Sequence, residues 1–217
     1  TAMPESHTRP FLKVQDGCDY SCAFCIIPRA RGVSRSTSVA DVLDQAMKYA
    51  DLGAAEIVLT GIHLGHWGRD LSPRRPFGEM VAELADAIAA DGRVRRLRLG
   101  SVEPNEVTPA LIELVASHPL LCEHFHVPLQ SGDDRTLKKM RRLYNADEYS
   151  DAITAIRQRI PDAAIGADVL VGHPGEDESA YNRTRKLIEG LDLTYLHVFP
   201  WSARKGTPSA AMGGRPS

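Results

Sequence analysis

Short β-rich runs alternate with amphipathic helical stretches along almost the whole chain, and this alternation restricts the fold more than any other feature. The β-rich runs lie at 11–15, 56–60, 96–100, 124–127, 165–171 and 193–199. Between the first two, Ser38 stands where a helix N-cap belongs, ahead of Val39, Val42, Leu43, Ala46, Met47 and Ala50, which follow the spacing of one buried helix face. Phe77, Met80, Val81, Leu84, Ala85 and Ile88 make a second such face, and Thr108-Pro109 is a cap followed by a proline suited to the first helical position. Further helices are expected over roughly 133–142, 147–159 and 178–190. Six strands separated by helices read as successive βαβ units with right-handed crossovers. At 217 residues the chain is too short for a regular eight-fold barrel, which takes about 250. The periodicity therefore leaves an α/β fold that is either a partial, open (β/α)6 barrel or a doubly wound sheet.

Bulk properties exclude several classes. The chain is 43% hydrophobic and 25% charged with a formal net charge of −2, the profile of a globular protein with a real core and no global bias toward nucleic acid. No apolar run approaches the roughly 20 residues of a membrane span, and the polar N-terminus lacks a signal-peptide core, so the expectation is a cytoplasmic protein with no membrane partner, acting as a monomer. Residues 1–9 and 207–217 are rich in Pro, Gly and Ser without periodicity and are expected as linkers flanking a catalytic domain at 10–206.

Three of the four cysteines, Cys18, Cys22 and Cys25, form a C-x3-C-x2-C triplet directly after the first β-rich run, while Cys122 stands alone. A structural zinc site takes four closed ligands, and a fully ligated 4Fe–4S cluster usually takes four thiolates. Three thiolates can hold such a cluster with one iron left for a substrate or cofactor. The position at the C-terminal end of a strand is where α/β active sites form. A zinc-stapled RNA-binding module is the competing reading, with the fourth ligand, His63 or Cys122, supplied through the fold.

With Phe24 as its aromatic position, the triplet resembles the radical S-adenosylmethionine (radical SAM) superfamily. The continuation through Ile26, Ile27, Pro28, Arg29, Ala30, Arg31 and Gly32 is similar to the methylthiotransferase family, as are 129–132 with 139–142, 168–176, and 197–202 with 206–208. The segments 59–65 and 101–104 look most like the branch acting on N6-threonylcarbamoyladenosine in tRNA, rather than those acting on isopentenyladenosine or on a ribosomal protein. The resemblance implies a barrel of the radical SAM type, one 4Fe–4S cluster on Cys18, Cys22 and Cys25, and S-adenosyl-L-methionine cleaved reductively to a 5′-deoxyadenosyl radical for methylthiolation of adenine carbon 2. It also implies a tRNA substrate, an electron donor such as flavodoxin or ferredoxin, and a second 4Fe–4S cluster held by an N-terminal domain outside this chain.

Polar groups at the catalytic ends of the strands are the candidates for the cofactor. Gly61 follows the second strand, Glu103 the third, Gln130 and Ser131 the fourth, and Asp168 lies inside the apolar fifth. Together with Phe24 and Arg142, these form the expected cofactor-binding set. Arg29, Arg31 and Arg35, and separately Lys138, Lys139, Arg141 and Arg142, are candidate phosphate contacts for tRNA. Each of these has a bland alternative: a turn glycine, a loop hydrogen bond, a solvated helix face. Cys122 is expected as a buried, apolar-like residue, and His7, His66, His118, His124 and His126 form no pattern readable from sequence.

Overall fold

The structure is a computed structural model that describes residues 9–214. Fifteen elements follow in chain order: β1 (Phe11–Lys13), β2 (Gln15–Asp16), α1 (Ile27–Arg31), β3 (Arg35–Ser36), α2 (Val39–Asp51), β4 (Glu56–Thr60), α3 (Phe77–Asp91), β5 (Arg96–Leu99), α4 (Pro109–Ser117), β6 (His124–His126), α5 (Asp134–Lys139), α6 (Ala146–Arg159), β7 (Ala164–Val171), α7 (Glu178–Gly190) and β8 (Tyr195–Pro200). Two parallel sheets, ordered β1-β4-β5 and β6-β7-β8, are joined by the bridges Leu97↔Leu121 and Ser101↔His126. Six parallel strands thus stand side by side in chain order, which selects the partial barrel over the doubly wound sheet, whose order reverses at a switch point. Among the described residues β1 and β8 do not pair, so the sheet curls without closing and the partial barrel is open along that seam.

The helices form where the sequence predicts them, for local reasons. Ser38 Oγ accepts from Asp41 N–H at 3.2 Å, and Thr108 Oγ1 from Leu111 N–H at 3.2 Å. Asn145 and Glu148 make a reciprocal capping box at the start of α6. All six apolar residues expected on the inner face of α3 are buried, Leu84 at 0% exposure. Truncating such a residue costs about 2–5 kcal/mol, so these faces hold the helices on the sheet. No described helix is long and apolar enough to cross a membrane.

Two departures shape the site. The first strand stops at Lys13, and the chain then turns so that β2 pairs antiparallel with β3. This two-stranded clasp closes the base of the cysteine loop, and Gly17 makes it possible. At φ +75°, a Cβ there would lie 1.9 Å from Val33 O, so no other residue fits. The second departure corrects the linker expected from 207 onward. Pro208–Ala211 is a 3-10 turn with Ser209 fully buried; Ser209 N–H donates to Ala23 O at 2.8 Å. Small residues that read as linker also let one backbone lie close against another. The remaining linker expectations, at 1–8 and 215–217, lie outside the described residues.

Candidate functional site

Cys18, Cys22 and Cys25 are all free thiols on the loop between the clasp strand β2 and helix α1. Each sulfur faces a donor. Tyr20 N–H points at Cys18 Sγ at 3.4 Å, Arg142 Nη1 donates to Cys22 Sγ at 3.2 Å, and the Ile27 backbone N–H serves Cys25. Burial pushes the Cys22 thiol up, with the Arg142 charge opposing it, and burial raises Cys25 as well. Among the described residues, two groups of donor atoms lie within 4.8 Å of one another, and the three thiols form neither. One ion held by all three sulfurs needs that closeness; a cluster, whose cysteines bind different irons, does not. The donor set and its N–H···S contacts fit a three-cysteine iron–sulfur cluster.

Arg142 reaches this loop because of how α5 ends. Arg141 adopts φ +58°, its N–H bonds to Lys138 O at 3.0 Å, and Arg142 N–H bonds to Leu137 O at 2.9 Å. These are the two bonds of a Schellman motif, closed here without glycine. The turn also presents Met140 O to Ala23 N–H at 2.9 Å, tying α5 to the cysteine loop. The Arg142 side chain is 5% exposed and ion-paired with Glu103. Its Nε donates to Tyr144 Oη at 3.1 Å, and its carbon Cζ lies 4.9 Å from the Tyr144 ring centroid. Buried in this way, Arg142 leaves the group of expected phosphate contacts, a correction that follows from its pairing across the fold.

Beside Cys18 lies a buried pair of histidines. His63 and His66 stack with ring centroids 3.6 Å apart, and His63 Nδ1 is 3.7 Å from Cys18 Sγ. His63 Nε2 is 2.8 Å from Glu106 Oε1. Burial disfavours charge on both rings, but the contacts with Cys18 and Glu106 outweigh it at His63, lifting it to about 9. His66, whose ring nitrogens make no hydrogen bond and lie no nearer than 3.7 Å to Asp19 and 3.8 Å to Glu106, is pushed by burial and by its neighbour to about 4.

The other expected residues divide. Phe24 packs edge-on to His173 with centroids 6.4 Å apart. A Cβ on Gly61 would lie 3.0 Å from Gln15 Oε1 and from a Leu64 methyl, which suits a close backbone approach. Gln130 takes φ +64°, and its N–H bonds to Asp168 O at 2.8 Å. Ser131 is fully buried, and its hydroxyl is engaged by Thr184 at 3.2 Å and by Asp133 N–H at 3.2 Å, so it builds the loop. Cys122 is half-buried, short of the full burial expected. Arg29 donates to Gly206 O at 2.5 Å, and Arg31 and Arg35 gather on Asp16.

Asp168 belongs to a network inside the barrel. Its Oδ1 is 3.0 Å from His126 Nε2 and 3.2 Å from His197 Nδ1. Tyr195 Oη joins His126 Nδ1 at 3.2 Å to His124 Nε2 at 2.9 Å. These residues line a cavity of about 730 Å³ with Arg98 and Ser101. Burial works against the Asp168 charge, but its two histidine partners hold the carboxyl below the usual range. Sequence reasoning missed this set. The i, i+2 spacing of His124 and His126, and of Tyr195 and His197, places each pair on one strand face, but only the strand order shows that the faces adjoin.

Comparison with known proteins agrees with this geometry. The family profile described as the radical SAM superfamily matches residues 12–188. A Bacillus subtilis protein named threonylcarbamoyladenosine tRNA methylthiotransferase MtaB is 40% identical over 94% of this chain and 45% of its own length. A tRNA-2-methylthio-N(6)-dimethylallyladenosine synthase of Akkermansia muciniphila is 36% identical over 96% of this chain and 45% of its own. The radical SAM methyltransferase TsrM of Kitasatospora setae, solved with cobalamin and a [4Fe-4S] cluster, superposes with a TM-score of 0.76 at 18% identity, covering 93% of this chain and 36% of that one. The chain spans about half the length of the curated relatives it matches.

Proposed function

Because the chain belongs to the radical SAM superfamily, we propose that it is the catalytic domain of a tRNA methylthiotransferase acting on carbon 2 of N6-threonylcarbamoyladenosine, with one 4Fe–4S cluster on Cys18, Cys22 and Cys25. The observation that carries the reading is the loop itself: three free thiols, each with its own N–H donor, at the catalytic end of a parallel sheet. A cluster bound there supplies an open iron and one electron, from a donor such as flavodoxin or ferredoxin, for reductive cleavage of S-adenosyl-L-methionine. The chain's own residues shape the surroundings. Gly61 offers close backbone approach, Phe24 an apolar wall and Gln130 a polar group after β6, and the cavity lined by His126, Asp168 and His197 takes the base to be modified. Arg29, Arg31, Arg35, Lys138, Lys139 and Arg141 remain the candidates for tRNA phosphates.

The threonylcarbamoyl branch rests on higher identity to the Bacillus protein than to the dimethylallyl synthase and on the segments 59–65 and 101–104. Anaerobic reconstitution with iron and sulfide tests the core of the reading: the reduced protein should turn S-adenosylmethionine into 5′-deoxyadenosine. Absence of that product from a chain that has taken up iron refutes it. In the full-length enzyme, tRNAs carrying either modified adenosine distinguish the branches, and preference for the isopentenyl substrate overturns the threonylcarbamoyl assignment alone.

A further inference from the structure

We infer that Arg142 is a positioning residue acting on the cluster through Cys22: its guanidinium donates to the ligand sulfur and raises the reduction potential, and Glu103 limits the rise. The inference rests on the three-cysteine reading above. Its geometry is unusually well determined for an arginine. Nε is fixed by Tyr144 Oη, whose hydroxyl in turn lies 2.8 Å from Pro128 O. Nη2 is fixed by Glu103, and the guanidinium plane rests on the Tyr144 ring. With those edges occupied, Nη1 is the edge turned to Cys22 Sγ, at 3.2 Å.

Three physical facts give that contact its effect. Reduction adds negative charge that the thiolate ligands share, so a donor aimed at a ligand sulfur stabilises the reduced state more than the oxidised one. The side chain is 5% exposed, so water does not screen the interaction as it does at a surface. Arginine stays protonated at any working pH, so the donor is permanent. Glu103 brings a negative charge to the same guanidinium and acts in the opposite sense. Removing the two residues should therefore move the potential in opposite directions, which a merely structural ion pair would not do.

The test is a redox titration of the reconstituted chain, followed by the electron paramagnetic resonance of the reduced cluster. It is run without S-adenosylmethionine, so that any contact of Arg142 with cofactor plays no part. Wild type, Arg142→Met, Arg142→Lys, Glu103→Gln and the distant control Cys122→Ala are compared at equal iron content. Arg142→Met should lower the reduced-to-oxidised ratio at a fixed poise about tenfold, ~59 mV for one electron. Arg142→Lys should fall part of the way, Glu103→Gln should shift the ratio upward, and Cys122→Ala should not move it. Unchanged potentials, or shifts of the same sign in Arg142→Met and Glu103→Gln, overturn the inference. Failure of Arg142→Met to take up iron while Glu103→Gln leaves the potential unmoved assigns Arg142 to loop folding and also overturns it. A wild-type chain that takes up no iron refutes the cluster reading, and the inference with it.

Discussion

The Tyr195 ring occupies the space that a side chain on Gly166 would fill: a Cβ at that position would lie 2.1 Å from Tyr195 Cζ. The two residues are paired neighbours on β7 and β8, and the missing side chain lets the ring lie across the strand and join His124 to His126. Gly166→Ala should therefore expel the ring and cost about 1–3 kcal/mol through overpacking. Tyr195→Phe, which keeps the ring and loses the hydroxyl, should cost about 1 kcal/mol. Urea denaturation of both variants checks this. A Gly166→Ala protein as stable as wild type would show that the ring has room elsewhere.

Iron uptake should depend on the loop thiols and on no other cysteine. Cys18→Ala, Cys22→Ala and Cys25→Ala should each abolish cluster assembly, leaving no charge-transfer absorption after anaerobic reconstitution. Cys122→Ala should load as wild type, because Cys122 sits near Arg98 and Glu56, away from the loop. Iron lost from Cys122→Ala would mean that the ligand set is wrong.

Acid should weaken the barrel interior over a defined window. Burial, then the charges of Arg98 and His126, hold His124 at about 4, against 6.5 in an unfolded chain. Above pH 6.5 both states keep the ring neutral and its full contribution is present. As pH falls from 6.5 toward 4 the unfolded chain binds a proton that the folded one refuses, so stability is lost across that interval. His66 behaves alike, so His124→Asn should flatten the decline in urea midpoint between pH 7.5 and 5 without abolishing it. An equally steep decline in the variant would remove His124 from the account.

The segment around Ser209 should behave as part of the fold. His173 Nε2 is buried and lies 2.7 Å from Ser209 Oγ. Ser209→Ala should leave that nitrogen unpaired, at a cost of about 1–3 kcal/mol, and should speed hydrogen exchange through 207–211. Arg29→Ala, at an exposed side chain bonded to Gly206 O, should change global stability by less than about 0.5 kcal/mol while loosening the same segment. Exchange there as fast in wild type as in an unstructured peptide would restore the linker reading.

Local chemistry wrote much of this protein into its sequence. The face of α3, the caps at Ser38 and Thr108, the order of six βα units and the spacing of Cys18, Cys22 and Cys25 all depend on residues a few positions apart, where periodicity and steric preference act directly. Tertiary structure decided what depends on residues far apart in the chain. Arg142 reads from sequence as a cofactor contact or a phosphate contact, and only the non-glycine turn at Arg141 shows it set against Cys22, 120 positions away. Ser131 meets Thr184, 53 positions away, through a buried hydroxyl contact that no local pattern announces. His126, Asp168 and His197 meet because β6, β7 and β8 stand side by side in a particular register. The reason is the same in each case: a run's apolar pattern determines which face turns inward, but a buried polar group is stable only with its partner, and that partner comes from a different element of the fold.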